Sequence, residues 1–134
     1  MGNRAVITFS TETNAPCIYL HWNGGRASVE AFLAACRDLS IRGGESLQDQ
    51  RHAINAMASR IGPAFFGNDP GYTIYVETFG KTDADNGDNG TYIIDGALNI
   101  VGRKYIGSYG EEINREKTAA IYEQIMARAP VFND

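Results

Sequence analysis

Cysteine and histidine are scarce in this chain. Two cysteines, Cys17 and Cys36, are separated by 18 residues, and neither belongs to a CxxC pair. With only His21 and His52 beside them, no zinc set of recognised spacing can be assembled. The thiols read as reduced and packed rather than bridged. Long apolar runs are also missing. None approaches the roughly 20 residues that a membrane span needs. Positive charge is in deficit, with 12 Lys and Arg against 16 Asp and Glu and a net charge of −4. That balance argues against a duplex nucleic-acid binder and against attachment to an anionic membrane. The opening Met1-Gly2-Asn3-Arg4 does not follow the basic-then-apolar profile of a signal peptide, so the chain is expected in the cytoplasm. No GxSxG, HExxH, P-loop or kinase signature is present. His21 and His52 are the only imidazoles available as a general base, and neither sits in a recognisable catalytic setting.

What remains is the composition of one globular domain over residues 1–134, with 43% hydrophobic and 21% charged residues. A chain of this length can bury roughly two thirds of its unfolded surface and needs no staple. Arg4 to Phe9 and Cys17 to Trp22 have the β-branched or alternating pattern of two strands paired as a hairpin. After Asn23-Gly24-Gly25, Ser28 is placed to cap a helix running to Leu39, with Val29, Phe32, Leu33, Cys36 and Leu39 on one face. A second helix is expected from Leu47 to Arg60, with Leu47, Ile54, Met57 and Ile61 inward and Gly62-Pro63 as its stop. Ala64 to Gly71 reads as irregular and Tyr72 to Phe79 as a strand, followed by a polar loop from Gly80 to Gly90. Thr91 to Ile94 and Leu98 to Tyr105 form a hairpin through Asp95-Gly96. Asn114 to Arg128 is a last helix, with Thr118, Tyr122, Ile125 and Ala129 on one face. The expected fold is α+β: an antiparallel sheet of about five strands with three helices, in the order ββααβββα.

Four features bear on chemistry. Trp22-Asn23-Gly24-Gly25-Arg26-Ala27-Ser28 runs from a strand through glycines to a helix start, where free N–H groups, Arg26 and the Trp22 ring suit a phosphate and a base; a plain strand-to-helix turn is the alternative. Asp83-Ala84-Asp85-Asn86-Gly87-Asp88-Asn89-Gly90 is dense in oxygen donors, but counted from Asp83 the sixth position is Asp88 and the twelfth Ile94, where an EF-hand needs Gly and Glu. A double Asn-Gly turn, or a loop that reads a ligand, fits better than a metal site. Arg103 and Lys104 are adjacent on a strand and face opposite ways, so one can line a pocket while the other meets solvent; both could equally guard an edge. Nine Arg against three Lys favours planar, bidentate anion contacts, although a GC-rich genome produces the same bias. Trp22, Phe65, Phe66 and Phe79 stand beside loops as possible stacking rings, or as core.

Several stretches taken in order resemble small proteins of phages and prophages, and among characterised groups the first Thoeris anti-defence family, the sponges that sequester immune signals. They are Gly2 to Thr8, Ile18-Tyr19-Leu20-His21-Trp22-Asn23-Gly24-Gly25, Ser28 to Leu33, Ile61-Gly62 with Phe65-Phe66-Gly67, Asp85-Asn86-Gly87 to Ile94, and Ile100-Val101-Gly102-Arg103. The resemblance spans most of the chain. It implies a non-catalytic protein of the host cytoplasm that needs no cofactor or metal. It also implies binding of cyclic ADP-ribose isomers, with cyclic oligonucleotides as a further ligand of some members, by a homo-oligomer built from dimers. Between Ser46 and Arg60 the chain departs from that pattern. Asn55-Ala56-Met57 stands where an aromatic-Ala-Arg run is expected, which leaves Arg51 and Arg60 as that helix's arginines. On this reading Trp22 and Phe79 stack on bases, Asn23, Asn86 and Asn89 read base or ribose edges, and Arg26, Arg103 and Lys104 hold the diphosphate. Two other functions are compatible with the sequence: an acidic inhibitor that blocks a host defence protein, and a metal-dependent nucleotide phosphodiesterase using Asp83, Asp85 and Asp88.

Overall fold

The structure, a computed structural model, describes residues 2–67, 74–107 and 113–129. Among these, five strands form one sheet: β1 (Ala5–Thr8), β2 (Pro16–Leu20), β3 (Ile74–Thr78), β4 (Thr91–Ile94) and β5 (Ile100–Lys104), in the spatial order β3-β2-β1-β4-β5. The α+β class and the order of elements are as expected from the sequence. The sheet itself is mixed rather than antiparallel. β1 pairs parallel to β4, Val6 opposite Thr91 and Thr8 opposite Ile93, while every other pair is antiparallel. A parallel neighbour needs a long crossover, which local patterning does not announce. The start expected for the third strand, Tyr72, lies outside the described residues.

The helices cover one face. Helix α1 (Arg26–Asp38) buries Val29, Phe32, Leu33 and Cys36 against Ala5, Ile7, Ile18, Leu20, Tyr92 and Ile94 of the sheet. It begins three residues earlier than expected. Gly25, not Ser28, is its first half-helical residue, and no side chain caps it. Asn23 turns the chain with φ of 61°, a conformation Asn tolerates, and Gly24 tucks under Asn3 with its N–H on the Asn3 carbonyl at 2.8 Å. The turn is thus complete before Ser28 is reached.

Helix α2 (Leu47–Ala56) is capped by Ser46, whose side chain accepts from the Asp49 N–H at 3.0 Å. It does not stop at Gly62-Pro63. A π-helical stretch, Met57–Ile61, carries it into a short helix α3 (Gly62–Phe66) with Pro63 in its first turn. The wider π turn eases the clash that a proline ring makes with the carbonyl four residues back. Residues expected to be irregular, Ala64 to Phe66, are therefore helical, and Phe65 and Phe66 are buried. The Phe65 ring lies 4.8 Å from that of Phe32. Neither ring is free to stack on a ligand or to cover a subunit interface. Helix α4 (Arg115–Arg128), capped by the Asn114 side chain on the Lys117 N–H, packs across α1 and buries Ile125.

The opposite face of the sheet carries Val6, Thr8, Cys17 and Thr91, all fully buried although none of α1 to α4 lies there. The crossover from β3 to β4, residues 79–90, covers them. Thr91 Oγ1 donates to the Ala84 carbonyl at 3.1 Å, and Thr82 lies against the Cys17 thiol, which burial pushes up to about 11. No helix among the described residues is long and apolar enough to cross a membrane.

Gly90 closes that crossover with φ of +67°, and a Cβ there would run into the carbonyl oxygens of Lys104 and Tyr105. Gly90→Ala should destabilise the fold by at least about 2 kcal/mol through left-handed strain and backbone displacement. Urea unfolding of the variant beside the parent chain measures it.

Candidate functional site

One end of the sheet collects the N-terminus of β1, the C-terminus of β2, the N-terminus of β4 and the C-terminus of β5, together with the start of α1. The register requires this, since Ala5 faces Leu20, Val6 faces Thr91, and Thr91 faces Lys104. Seven of the eight singled-out residues gather there: Trp22, Asn23, Arg26, Asn86, Asn89, Arg103 and Lys104. Phe79 does not. It follows Thr78, which pairs with Pro16, and its N–H bonds the Ala15 carbonyl at the far end of the sheet. The end-to-end crossover that starts at Phe79 is what separates it from the others.

The centre of the site is Tyr92. Its ring is fully buried on the helix side of β4, and its hydroxyl donates to the Gly24 carbonyl at 2.7 Å, tying β4 to the turn before α1. Burial pushes the phenol up to about 12, so it stays a neutral donor. Arg103, opposite Tyr92 on β5, lies with its guanidinium carbon 3.8 Å from the ring centroid and donates from Nη2 to the Asn89 carbonyl at 2.7 Å. This is a cation over an aromatic face in a partly desolvated position. Burial lowers the Arg103 pKa, and the neighbouring Arg26 charge lowers it further. Arg26 is itself mostly buried and paired with Glu30 one turn on, with 2.9 Å contacts from both Nε and Nη2. Arg26 and Arg103 line one cavity of about 310 Å³ with Ile100, Val101 and Gly102. Lys104 points the other way into solvent, as strand alternation requires, with its ammonium 5.9 Å from the Tyr105 ring.

The Asn-Gly loop is fastened from within. The Asn86 side chain donates to the Asp83 and Gly90 carbonyls and accepts from the Asp88 and Gly90 N–H groups, all between 3.0 and 3.2 Å. Asn89 donates to the Asn3 side chain and to the Arg4 carbonyl. Both asparagines are buried, and their amides are occupied by the chain's own backbone and by Asn3. They shape the loop. Asp88 accepts from Arg4 Nε at 2.7 Å and from the Arg4 backbone N–H at 3.0 Å, and Asp83 lies 3.7 Å from the same guanidinium. Arg4 thereby pairs with two of the three carboxylates that a metal-dependent phosphodiesterase would use. Among the described residues no group of three His, Cys, Asp or Glu is placed to hold a metal ion. Asp85 is exposed, as is Arg51 on α2, while Arg60 lies in the π-helical stretch.

Trp22 is 42% exposed and stands edge-on to His21, ring centroids 5.3 Å apart. His21 Nδ1 shares a 3.0 Å hydrogen bond with the Tyr19 hydroxyl, and Tyr19 stacks on Tyr75 at 6.1 Å. The histidine is thereby tied into an aromatic row with Tyr19, Tyr75 and Trp22. Tyr92, Glu30, Arg4, Tyr19 and Tyr75 also belong to this end, and the sequence alone does not single them out. Period-two alternation already pointed Tyr92 and Arg103 to the same side once the hairpin register is known, and Arg26 with Glu30 has ion-pair spacing on a helix. Arg4 with Asp88, 84 positions apart, had no local signal.

Compared with protein-family models, curated proteins and solved structures, the chain matches none.

Removing the Tyr92 hydroxyl in Tyr92→Phe leaves the buried Gly24 carbonyl without its donor, and should cost about 1–2 kcal/mol in a denaturant titration. Asp88 gives a pH signature. The Arg4 hydrogen bond holds its carboxyl below the ordinary value of 3.8. Its contribution to stability is complete above 3.8 and is lost as pH falls through the lower folded value. Asp88→Asn should therefore melt several degrees below the parent at neutral pH, and the gap should close on acidification below 3.8. Melting curves across that range measure it.

Proposed function

We propose that this protein is a non-catalytic binder that sequesters a small cyclic nucleotide signal of the cyclic ADP-ribose type in the cytoplasm of a phage-infected host. The observation that carries the reading is the cavity shared by Arg26 and Arg103. Two guanidiniums facing one space repel each other, and an anion between them relieves that repulsion and uses their planar donors. Both are held in advance, Arg26 by Glu30 and Arg103 by Tyr92 and the Asn89 carbonyl, so little side-chain freedom is lost on binding. A pyrophosphate is the ligand portion that matches two arginines. Trp22 and Asn23, on the turn that leads into Arg26, offer a ring and a polar edge for the nucleoside portion. A space of about 310 Å³ lies at the small end for such ligands, and a second copy of the chain would supply the missing wall. The resemblance to the immune-signal sponges points the same way and adds the homo-oligomer.

A second reading, blockade of a host defence protein, draws support from Trp22, Tyr75 and Val76, which leave apolar surface exposed beside the edge strand β3. The phosphodiesterase reading has less support, because Arg4 holds Asp83 and Asp88.

A release experiment decides among them. The protein is incubated with cyclic ADP-ribose isomers, heat-denatured, and the supernatant analysed. Depletion before heating and intact signal after it is the expected result. Altered signal means an enzyme, and no depletion points to a protein target. Binding should be unchanged in EDTA. Arg103→Ala should weaken binding by about 2–4 kcal/mol in calorimetry, and Arg103→Lys should restore part of that, since an ammonium keeps the charge without the fork.

A further inference from the structure

A second cavity, of about 580 Å³, opens between α1 and α4, and its lining differs in kind from that of the first. One wall is a single face of α1: Arg26, Glu30, Ala34, Arg37 and Asp38. The other is Ile113 with the face of α4 formed by Arg115, Thr118, Ala119 and Tyr122. Both helices present alanine, Ala34 and Ala119, where a larger side chain would fill the space. The walls are pinned. The Tyr122 hydroxyl donates to the Asp38 carboxylate across the groove, Arg26 pairs with Glu30, and Arg37 Nη1 donates to the Leu98 carbonyl at 2.9 Å. Ile113, 68% exposed, leaves an aliphatic side chain in water at the rim. Three arginines face two carboxylates, a local surplus of one positive charge on a chain whose net charge is −4.

We infer that the groove between α1 and α4 is a binding site for a monoanion with an apolar body, an aliphatic or aryl carboxylate or sulfonate, its charge at Arg115 and its body along Ala34, Ala119 and Ile113. The volume falls in the range of small-molecule sites, about 300–1,000 Å³. A single surplus charge matches one anionic group, whereas a nucleotide polyphosphate would meet Glu30 and Asp38 with charges to spare. The anion and the apolar body are recognised by different residues, so both are required. The groove shares Arg26 with the cavity at Arg103, and the variants that test it, at Ala119 and Arg115, lie outside that cavity.

The test uses the whole chain and two probes, 8-anilinonaphthalene-1-sulfonate and decanoate. The dye should bind at one site per chain with a rise in fluorescence. Decanoate should displace it, while acetate and decanol, which each lack one half of the pattern, should not. Ala119→Trp fills the groove from an exposed helix position and should weaken dye binding roughly tenfold or more. Arg115→Gln should weaken it several-fold and flatten its salt dependence, with both variants melting as the parent does. Dye binding that persists in a natively melting Ala119→Trp overturns the site, as does displacement by decanol as effective as that by decanoate. Should Ala119→Trp fail to fold, unchanged binding and salt dependence in Arg115→Gln overturns it alone.

Discussion

The parallel pairing of β1 with β4 is the constraint on which the rest of this molecule depends. β3 and β4 both run with β1, so the chain leaving β3 must return the full length of the sheet, past β2 and β1, before β4 can begin. It does so in residues 79–90 with a single 3-10 turn, Phe79–Lys81, and no α-helix. A segment of irregular backbone laid over a sheet exposes many polar groups, and each must be satisfied if it is to cover apolar residues. Asn86 satisfies four of them at once, and Asp88 and Asn89 fasten the end of the segment to Arg4 and Asn3. The reward is a second buried layer, Val6, Thr8, Cys17 and Thr91, in a sheet whose helices cover only the other side.

The same device builds the functional end. The crossover delivers Asn89 beside β5, where its carbonyl receives Arg103, and β4 delivers Tyr92 beneath that guanidinium. From the other side, the turn at Asn23 and Gly24 brings Arg26 to the start of α1, tied to Tyr92 through the Gly24 carbonyl. Two cations from distant parts of the chain thus reach one cavity, Arg26 held by Glu30 and Arg103 by Tyr92 and the Asn89 carbonyl. Side chains held in this way have little left to rearrange. The groove between α1 and α4 shares Arg26 as a wall but takes its other cations from Arg37 and Arg115.

Local chemistry made much of this legible. Alternating apolar residues marked the strands, the 3.6-residue spacing of Val29, Phe32, Leu33 and Cys36 marked the buried face of α1, and Asp95-Gly96 marked the hairpin that sets Arg103 and Lys104 on opposite sides. These are properties of neighbours in the chain, and strand alternation or helical periodicity acts over a few residues. Proline misled at position 63, because the rule that it ends a helix assumes an α-helical ladder, and a π turn removes the clash. Phe65 and Phe66 misled for the same reason: a helix that continues carries them inward.

The sequence by itself determined the α+β class, the order of the main strands and helices, and the shortlist of residues around the glycine-rich turns. Only the tertiary structure decided that the sheet is mixed, that Phe79 lies at the far end, that Asn86 and Asn89 are committed to the chain's own backbone and to Asn3, and that Arg26 and Arg103 share a cavity. Each of those outcomes depends on contacts between residues distant in the chain, such as Arg4 with Asp88 or Gly24 with Tyr92. Their energy comes from burying and pairing polar groups in one assembled core, a condition that no short window of sequence contains.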